Sequence, residues 1–367
     1  MQDLQALREK LSRLDVELLE MVARRQAIVA EIGRVKSSAG RGTRDYAREK
    51  EVLDLARRTA RRVGVDADVG EEMFRLLIRA SLAAQELDKV TSHGTGSGKR
   101  ALVVGGAGQM GQWFVRFLDA QGYQVEICDP VPAASGHPQV ESLAESDLSQ
   151  DLIVVAAPVV ETGRLLLELA QRRPAGTVFD ISSLKGPLAE PLRALVESGC
   201  SVTSIHPMFG PDTELLSGRN VVFVDLGVAE ANQVVRELFG STMAEQVSMS
   251  LDGHDRAIAY VLGLSHAVNI AFFNALSQSG EEVEALARLS SSTFDAQMEV
   301  ARRVAAENPY LYFEIQSLNT HSPRALMTLL NAVTQVAGRV LDGDEQGFVT
   351  LMAQGKAFLD RRPEDRP

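Results

Sequence analysis

The first ninety residues contain one long series of apolar positions at helical spacing. The apolar side chains recur alternately three and four residues apart, which is the a/d spacing of a helix that packs against other helices. The series comprises Leu4, Leu7, Leu11, Leu14, Leu18, Met21, Ile28, Ile32 and Val35. Arg25 occupies the seam position that this series skips, so a guanidinium lies where an apolar side chain is expected. Two shorter helical patterns, at 46–62 and 70–88, cannot cover this helix alone, so the pattern predicts an all-helical domain over residues 1–90 that pairs with a second copy of the chain.

A Gly/Ser-rich segment at 91–99 separates this pattern from a different one and is typical of a linker. Beyond it, short β-rich runs alternate with helical patterns, which predicts an α/β, Rossmann-like, doubly wound parallel sheet over 100–250. The predicted strands are ALVVG, YQVEICD, DLIVVAAP, TVFDIS, CSVTSIH and NVVFVD. Only helical periodicity remains over 251–360, which predicts a third, all-α domain. Residues 361–367 are polar and are expected to be disordered.

Charge and composition narrow the class of protein. Residues 1–90 carry a net charge of +2 and the remainder carries −13, and so acidic a remainder argues against nucleic acid as a partner. The most apolar stretch, 259–276, contains Ser, His and Asn and is expected to be a buried helix, with no membrane span. The chain begins without an apolar signal core, and two cysteines, Cys128 and Cys200, cannot form a disulfide framework. We therefore expect a cytoplasmic protein.

A glycine-rich turn directly follows the first predicted strand and opens an amphipathic helix. An acidic residue, Asp129, ends the next predicted strand 18 residues beyond the turn, which completes the usual context of a dinucleotide site. The glycines allow close approach of the backbone, and the helix N-terminus faces the pyrophosphate. Asp129 would accept hydrogen bonds from the ribose and repel a 2′-phosphate, so the motif predicts NAD as the cofactor. The cofactor-binding residues would be Gly106, Gly108, Gln109, Met110, Gly111 and Asp129.

The polar positions of the first domain follow a known pattern. The stretches LREKLSRLD, ARRQAIVAEIGRVK, RDYAREKEVL and IRASLAAQ resemble the all-helical chorismate mutases of bacterial bifunctional enzymes, over essentially all of residues 1–90. The resemblance implies Lys36 and Gln85 as catalytic residues. It implies as substrate-binding residues Arg8 (reaching the partner chain's site), Arg25, Asp45, Arg48, Glu49 and Ser81.

These residue types suit the reaction. The rearrangement of chorismate to prephenate is pericyclic, so the enzyme must hold a dicarboxylate in a compact conformer and stabilise charge on the ether oxygen. The arginines offer bidentate donors for the carboxylates and stay charged when buried. The two catalytic residues would donate to the ether oxygen, and the two acidic residues would orient the C4 hydroxyl.

The remainder of the chain, roughly 100–359, resembles prephenate dehydrogenases. The most specific signature is SIHPMFGPD at 204–212, supported by DISSLK at 180–185 and by the glycine-rich turn. The resemblance implies that His206 takes the proton of the ring C4 hydroxyl while hydride leaves for NAD and CO₂ is lost. Histidine suits this role because its pKa lies near the working pH. The chain is thus identified as a member of the bifunctional chorismate mutase/prephenate dehydrogenases of tyrosine biosynthesis, with the 251–360 domain serving substrate binding and dimerisation.

Three further positions enter through the same resemblance. Ser183 would bridge the substrate hydroxyl and the nicotinamide, and Asp212 matches an acidic residue at the pocket mouth. His254 matches a position close to the substrate, although a capping or structural role is equally compatible with its place in GHDRAIAY. No metal-ligand spacing occurs among the histidines.

One position departs from the family pattern. Where prephenate dehydrogenases place an arginine for the ring carboxylate, the stretch LSSSTFDAQMEVARR has Asp295. Either the register slips and a nearby cation such as Arg302 compensates, or the substrates are the 4-amino analogues, 4-amino-4-deoxychorismate and 4-amino-4-deoxyprephenate. A further alternative is an active mutase joined to a non-catalytic NAD-binding regulatory module. Chorismate and prephenate, NAD and a homodimer partner remain the main expectation.

Overall fold

Three segments of different architecture follow one another along the chain. The computed structural model describes residues 2–39 and 42–361. The first segment consists of three helices, α1 (Gln2–Ser38), α2 (Tyr46–Val63) and α3 (Ala67–Ser92). The all-helical first domain is therefore confirmed, although α3 continues past the predicted boundary at residue 90.

The two shorter helices pack closely, whereas α1 stays largely uncovered. A Cβ on Gly70 of α3 would lie 2.7 Å from the Cβ of Ala60 of α2, so only glycine allows this approach. By contrast, the apolar seam residues of α1 are 42–70% exposed within the single chain. Exposed apolar surface of this extent indicates an interaction surface.

The second segment is built around one eight-stranded sheet in the order β3-β2-β1-β4-β5-β6-β7-β8. Its strands are β1 (Arg100–Val104), β2 (Gln124–Cys128), β3 (Gln139–Val140), β4 (Leu152–Val155), β5 (Thr177–Asp180), β6 (Val202–Pro207), β7 (Asn220–Val224) and β8 (Glu245–Met249). The predicted Rossmann-like class is confirmed, and β3 and β8 are additional to the predicted strands. β7 runs antiparallel to β6, because the connection between them holds no helix to carry the chain back across the sheet.

Helices cover both faces of this sheet. They are α4 (Gln109–Ala120), α5 (Val159–Arg172), α6 (Ala189–Glu197) and α7 (Ala229–Gly240), with short 3₁₀ helices at Leu143–Glu145 and Gly186–Leu188. One core cluster includes Trp113 and Phe114 of α4 with Phe239 of α7, and the other includes Leu166 of α5 with Leu192 of α6. The order of the strands reverses beside β1, which in open α/β sheets is where ligands bind.

The predicted linker at 91–99 is packed against the sheet domain. The backbone amide of Gly96 donates to the carbonyl oxygen of Gln121 at 3.0 Å. Added Cβ atoms on Gly94 and Gly96 would collide with Gln121 and Tyr123. The segment therefore connects the two domains as a packed stretch, in which glycine allows two backbones to approach closely.

The third segment is entirely helical. It comprises α8 (Leu251–Ile258), a π-helical turn (Ala259–Leu264), α9 (Ser265–Gln278), α10 (Val283–Arg288), α11 (Ser292–Ala306), α12 (Pro309–Ser317), α13 (Ser322–Leu341) and α14 (Glu345–Leu359). Residues 362–367, within the predicted disordered tail, lie outside the described residues.

The apolar run Leu251–Gln278 differs from its expected burial. By length and composition it could cross a membrane, and 28% of its most apolar window is buried within the chain. The expectation of a buried helix over 259–276 was wrong for the single chain, because Tyr260 and Val261 leave apolar surface uncovered. The polar residues inside the run still argue against a membrane span.

Candidate active sites

The glycine-rich turn lies between β1 and α4, at the point where the strand order reverses. Gly105 has a φ of +80°, in the left-handed region that favours glycine. Gly111 lies in the first turn of α4, and a Cβ there would collide with the carbonyl oxygen of Gly105. Gln109 and Met110 form the helix N-terminus behind Gly108. The turn thus leaves a cradle of backbone that fits a pyrophosphate at the start of a helix.

Asp129 lies beside this turn, as the motif predicts. Its Oδ2 accepts a hydrogen bond from the amide of Ala107 at 3.0 Å, and its Oδ1 accepts one from the amide of Val131 at 2.9 Å. The side chain is mostly buried, with 9% exposed. Two backbone donors therefore hold a carboxylate where the ribose of a dinucleotide would lie.

His206 is placed near the end of β6, at the same edge of the sheet as the glycine-rich turn. Its Nδ1 lies 2.9 Å from Nε2 of His254, and Nδ1 of His254 lies 2.7 Å from Oδ1 of Asp255. His206 and His254 are 5% and 0% exposed. Of the two roles that the sequence left open for His254, substrate contact is the less favoured, because both ring nitrogens have partners within the protein and the side chain is buried. Its alternative, a structural role, is the one that the geometry favours.

A buried ion pair lies beside the two histidines. Nζ of Lys185 donates to Oδ2 of Asp180 at 2.7 Å and to the carbonyl oxygen of Ile205 at 2.7 Å, and both charged side chains are fully buried. Burial lowers the pKa of Lys185, although Asp180 opposes the shift. In the sequence, Lys185 and Asp180 stand out only as part of the DISSLK signature. The motif alone does not reveal that this lysine is fully buried near His206.

The environment keeps His206 neutral. Burial lowers its pKa well below the ordinary value, and the neighbouring His254 and the Lys185 cation lower it further. Burial also lowers the pKa of His254. A neutral imidazole that accepts a proton is what general-base catalysis requires.

The other predicted dehydrogenase residues are more exposed. Ser183 is half-buried in the loop after β5, the strand that pairs with β6. Asp212 is exposed and lines a cavity of about 810 Å³ between α3, α4 and the 211–216 segment. Asp295 is exposed on the first turn of α11, where its hydrogen-bond partner among the described residues is Ser290. A carboxylate at a helix N-terminus is favourable in itself.

A second cavity, of about 760 Å³, lies between α1 and α3. Lys36, Ser81 and Gln85 line it, as the mutase resemblance implies. Nε2 of Gln85 donates to the carbonyl oxygen of Val29 at 2.9 Å, and Nζ of Lys36 donates to that of Thr43 at 3.3 Å. The structure thus brings both predicted catalytic donors to one cavity.

Arg25 of α1 does not line this cavity itself but contacts Ser81, which does. Its Nη1 donates to Oγ of Ser81 at 2.9 Å and to the carbonyl oxygen of Leu77 at 3.3 Å. Burial lowers its pKa. Among the described residues no carboxylate pairs with Arg25, so its charge is available for an anion.

The remaining predicted mutase residues do not line this cavity in the single chain. Asp45 caps α2 by accepting from the amide of Arg48 at 3.0 Å, and the Arg48 side chain pairs with exposed Glu51 at 2.7 Å. Glu49 forms a bidentate pair with Arg44, at 2.9 and 3.1 Å, and Arg44 was not predicted. Arg8 lies on the exposed face of α1, where its place suits a partner chain's site.

The helical and sheet domains meet at one buried carboxylate. Glu86 of α3 is 4% exposed, and its oxygens accept from the amides of Leu216, at 2.6 Å, and Met243. Burial raises its pKa. Nearby, Nη1 of Arg44 donates to Oγ of Ser217 at 2.7 Å. Three hydrogen bonds, two to Glu86 and one from Arg44, thus attach the mutase-like domain to the sheet domain.

Three protein families match successive parts of the chain. Chorismate mutase type II matches residues 7–86, the nucleotide-binding domain of prephenate dehydrogenase matches 135–245, and the dimerization domain of prephenate dehydrogenase matches 250–354. The matches follow the order of the three segments.

Individual proteins resemble the chain at similar levels. It is 29% identical over 352 residues to the T-protein of Enterobacter agglomerans, covering 95% of this chain and 90% of that protein. It is 28% identical over 272 residues to the 4-amino-4-deoxyprephenate dehydrogenase of Streptomyces pristinaespiralis, covering 71% of this chain and 91% of that protein. Among solved structures, the prephenate dehydrogenase of A. aeolicus in complex with hydroxyphenyl propionate and NAD+ covers 73% of this chain and 98% of its own, with a TM-score of 0.56 and 20% identity, which shows a shared fold.

Proposed function

This chain belongs to the bifunctional enzymes that join a chorismate mutase to a prephenate dehydrogenase, and we propose that it catalyses two consecutive steps of tyrosine biosynthesis. The first step rearranges chorismate to prephenate. The second is the NAD-dependent oxidative decarboxylation of prephenate to 4-hydroxyphenylpyruvate. The observation that carries the proposal is that buried His206, near the C-terminal end of β6, lies at the same edge of the sheet as the glycine-rich turn after β1.

In the dehydrogenase, His206 is the general base. It accepts the proton of the C4 hydroxyl, and the alkoxide character that develops at C4 promotes departure of the hydride. Bound NAD supplies the hydride acceptor. The bond from the ring to its carboxylate breaks, CO₂ leaves, and the electron pair completes the aromatic ring. Ser183, in the loop beside β6, orients the C4 hydroxyl.

The cofactor is held by the glycine-rich turn and Asp129. The positions proposed to contact it are Gly106, Gly108, Gln109, Met110, Gly111 and Asp129. Because Asp129 is a fixed carboxylate, it favours the ribose hydroxyls of NAD and repels the 2′-phosphate of NADP.

In the mutase, Lys36 and Gln85 donate to the ether oxygen of chorismate, and Arg25 binds a carboxylate. Arg8, Arg48, Asp45 and Glu49 complete the site, with Arg8 contributed by a second copy of the chain. The uncovered apolar seam of α1 supports such a homodimer. A dimer through the C-terminal helices likewise accounts for the exposed face of the Leu251–Gln278 run.

The substrates and setting are those of soluble metabolism. We propose chorismate and prephenate as small-molecule substrates, with no nucleic-acid or membrane partner. The two buried free thiols, Cys128 and Cys200, suit a cytoplasmic location.

A second candidate concerns the substituent at C4. Asp295 replaces the arginine that the family resemblance implies, and one relative is a 4-amino-4-deoxyprephenate dehydrogenase. Both observations support activity on 4-amino-4-deoxyprephenate. The variant Asp295→Arg should then raise kcat/KM for prephenate and lower it for the amino analogue. A carboxylate facing a charged group at about 4 Å in water-like surroundings is worth about 1 kcal/mol, or roughly fivefold.

The matched control for this variant is Glu299→Arg, one helical turn further along α11 and also exposed. It should leave both substrates unaffected. Equal changes for the two variants would make Asp295 a surface residue and leave prephenate as the substrate.

The test of the main proposal is incubation of the protein with chorismate and NAD. NADH formation together with a product of the mass of 4-hydroxyphenylpyruvate is the expected outcome. Accumulation of prephenate without NADH formation would indicate that the dehydrogenase half is a non-catalytic module. NADH formed only from the 4-amino substrates would establish the second candidate.

A further inference from the structure

Asp255 contacts His254, the partner of His206, and has no role yet in the chemistry proposed above. Oδ1 of Asp255 accepts from the amide of Lys185 at 2.9 Å and from His254 Nδ1 at 2.7 Å, and Oδ2 accepts from the amide of Gly186 at 2.6 Å. The side chain of Asn319 donates to the Asp255 carbonyl oxygen at 2.8 Å. Asp255 is therefore fixed at both its backbone and its carboxylate.

The carboxylate of Asp255 is ionised. Burial alone would raise its pKa, but the hydrogen bonds from His254 and from the two amides outweigh burial and lower it. Backbone amides are donors only, so they require an acceptor. An ionised carboxylate accepts only, and Nδ1 of His254 must therefore carry the proton that it shares with Asp255.

The protonation of His254 then determines which atom donates in its hydrogen bond with His206. Neutral His254, protonated on Nδ1, presents a lone pair on Nε2. The 2.9 Å contact to His206 requires His206 Nδ1 to be the donor. Neutral His206 consequently carries no proton on Nε2, and this nitrogen has no hydrogen-bond partner among the described residues.

We infer that Asp255 is a positioning residue that, through His254, fixes the protonation of His206 so that its Nε2 is the free base. This inference rests on the proposed dehydrogenase function. Free histidine favours the opposite tautomer, with the proton on Nε2, which would place a proton where the base must accept one. After proton transfer from the C4 hydroxyl, the positive charge on the histidine pair is balanced by Asp255.

The experiment compares Asp255→Asn with the parent enzyme. The variant keeps the shape but loses the charge and the obligatory acceptor. We expect kcat for prephenate to fall on the order of 100-fold, within the range for loss of effective base catalysis, with little change in KM. Mutase activity of the same chain should be unchanged, which reports that the variant is folded.

The pH profile separates positioning from a merely structural role. The charged and titratable groups that face His206 are Lys185 and Asp180 from the sheet side and His254 and Asp255 from α8. Loss of the Asp255 anion disfavours the protonated pair, so the acid limb of kcat/KM should move to lower pH. A structural defect would reduce the rate without moving the limb.

Nitrogen NMR of labelled histidine gives a readout that needs neither turnover nor cofactor. In the parent, His206 and His254 should both carry the proton on Nδ1, and Asp255→Asn should shift His206 toward the Nε2 form. His254→Gln provides a second variant, since its amide can accept or donate and no longer dictates the tautomer of His206.

Asp252→Asn is the matched control. Asp252 lies on the same helix and also pairs with a histidine, Nε2 of His321 at 2.8 Å, but it is exposed. It should change neither kcat nor the tautomers. A proton on Nε2 of His206 in the parent, or kcat for Asp255→Asn within threefold of the parent with its tautomers unchanged, overturns the inference. A parent that shows the Nδ1 tautomers but oxidises neither prephenate nor 4-amino-4-deoxyprephenate refutes the dehydrogenase function instead.

Discussion

Replacement of Lys185 by Met probes the buried ion pair that supports the His206 site. The change keeps an aliphatic stem but removes the ammonium, together with its 2.7 Å contacts to Asp180 and to the Ile205 carbonyl oxygen. Asp180 is fully buried, its Oδ1 has no partner among the described residues, and its Oδ2 would keep only the amide of Ser182. Removing one partner of a buried pair leaves a buried charge and costs about 3–5 kcal/mol.

Urea unfolding followed by tryptophan fluorescence measures the loss of stability in the sheet domain, which contains Lys185 and Asp180. The single tryptophan, Trp113, is 7% exposed in the core of the sheet domain. With an m value of roughly 2–3 kcal/mol/M, a loss of about 3–5 kcal/mol should lower the urea midpoint by about 1–2.5 M. The double variant Lys185→Met/Asp180→Asn removes the unpaired buried charge of Asp180 and should recover part of the lost free energy of unfolding.

The matched control for this cycle is Arg303→Met, which breaks an exposed pair with Glu299. Its two side chains are 75% and 64% exposed, so the expected loss is below about 1 kcal/mol. The argument from buried charge would be refuted if Lys185→Met lowered the free energy of unfolding no more than Arg303→Met does. It would also be refuted if the double variant lost a further amount of about 3–5 kcal/mol relative to Lys185→Met.

Three further predictions concern the other sites. Arg25→Ala should lower mutase kcat/KM at least tenfold, equivalent to about 1.4 kcal/mol, while supplied prephenate is still oxidised; retained mutase activity would contradict the assigned role. Asp129→Ala should relax discrimination against NADP in parallel assays with both cofactors, and a parent that already prefers NADP would contradict it. Burial lowers the pKa of His206, His254 and His266. As the pH drops below about 6.5, the unfolded chain therefore binds more protons than the native chain, and the free energy of unfolding falls. His266→Phe can retain the stacking on Tyr312 and should make the free energy of unfolding depend less on pH between about pH 7 and pH 5.5. An unchanged pH dependence would contradict the contribution of His266.

Features carried by neighbouring residues were predictable from the sequence. The glycine-rich turn and Asp129 belong to one strand–helix–strand unit, so their meeting follows from local geometry. The long helix α1 and its apolar seam follow from spacing alone. The strands β3 and β8 were not found, because the first has two residues and the second, EQVSM, is mostly polar and only half-buried.

Features that depend on distant residues were not predictable in the same way. His206 and His254 are 48 residues apart in the chain and lie in different domains, so no local pattern reports their 2.9 Å contact. Asp255 was overlooked although it follows His254 directly, because only the fold shows which backbone amides it accepts from. The mutase residues Arg8, Arg48 and Glu49 are not gathered at the α1/α3 cavity in the single chain, which is consistent with a site that two chains complete.

The junction between the halves shows how a Gly/Ser-rich linker can be packed against a domain. Ser81 and Gln85 of α3 face the cavity shared with α1, whereas Glu86 accepts from amides of the sheet domain and Val90 is buried in the core of that domain. One helix thus carries groups of both halves on different faces, and the packed glycines at residues 94 and 96 continue that contact. Val90, in the last turn of α3, therefore anchors this end of the helix to the dehydrogenase core. The two halves therefore meet at the C-terminal turns of α3, and composition alone cannot distinguish such packed glycines from those of a flexible spacer.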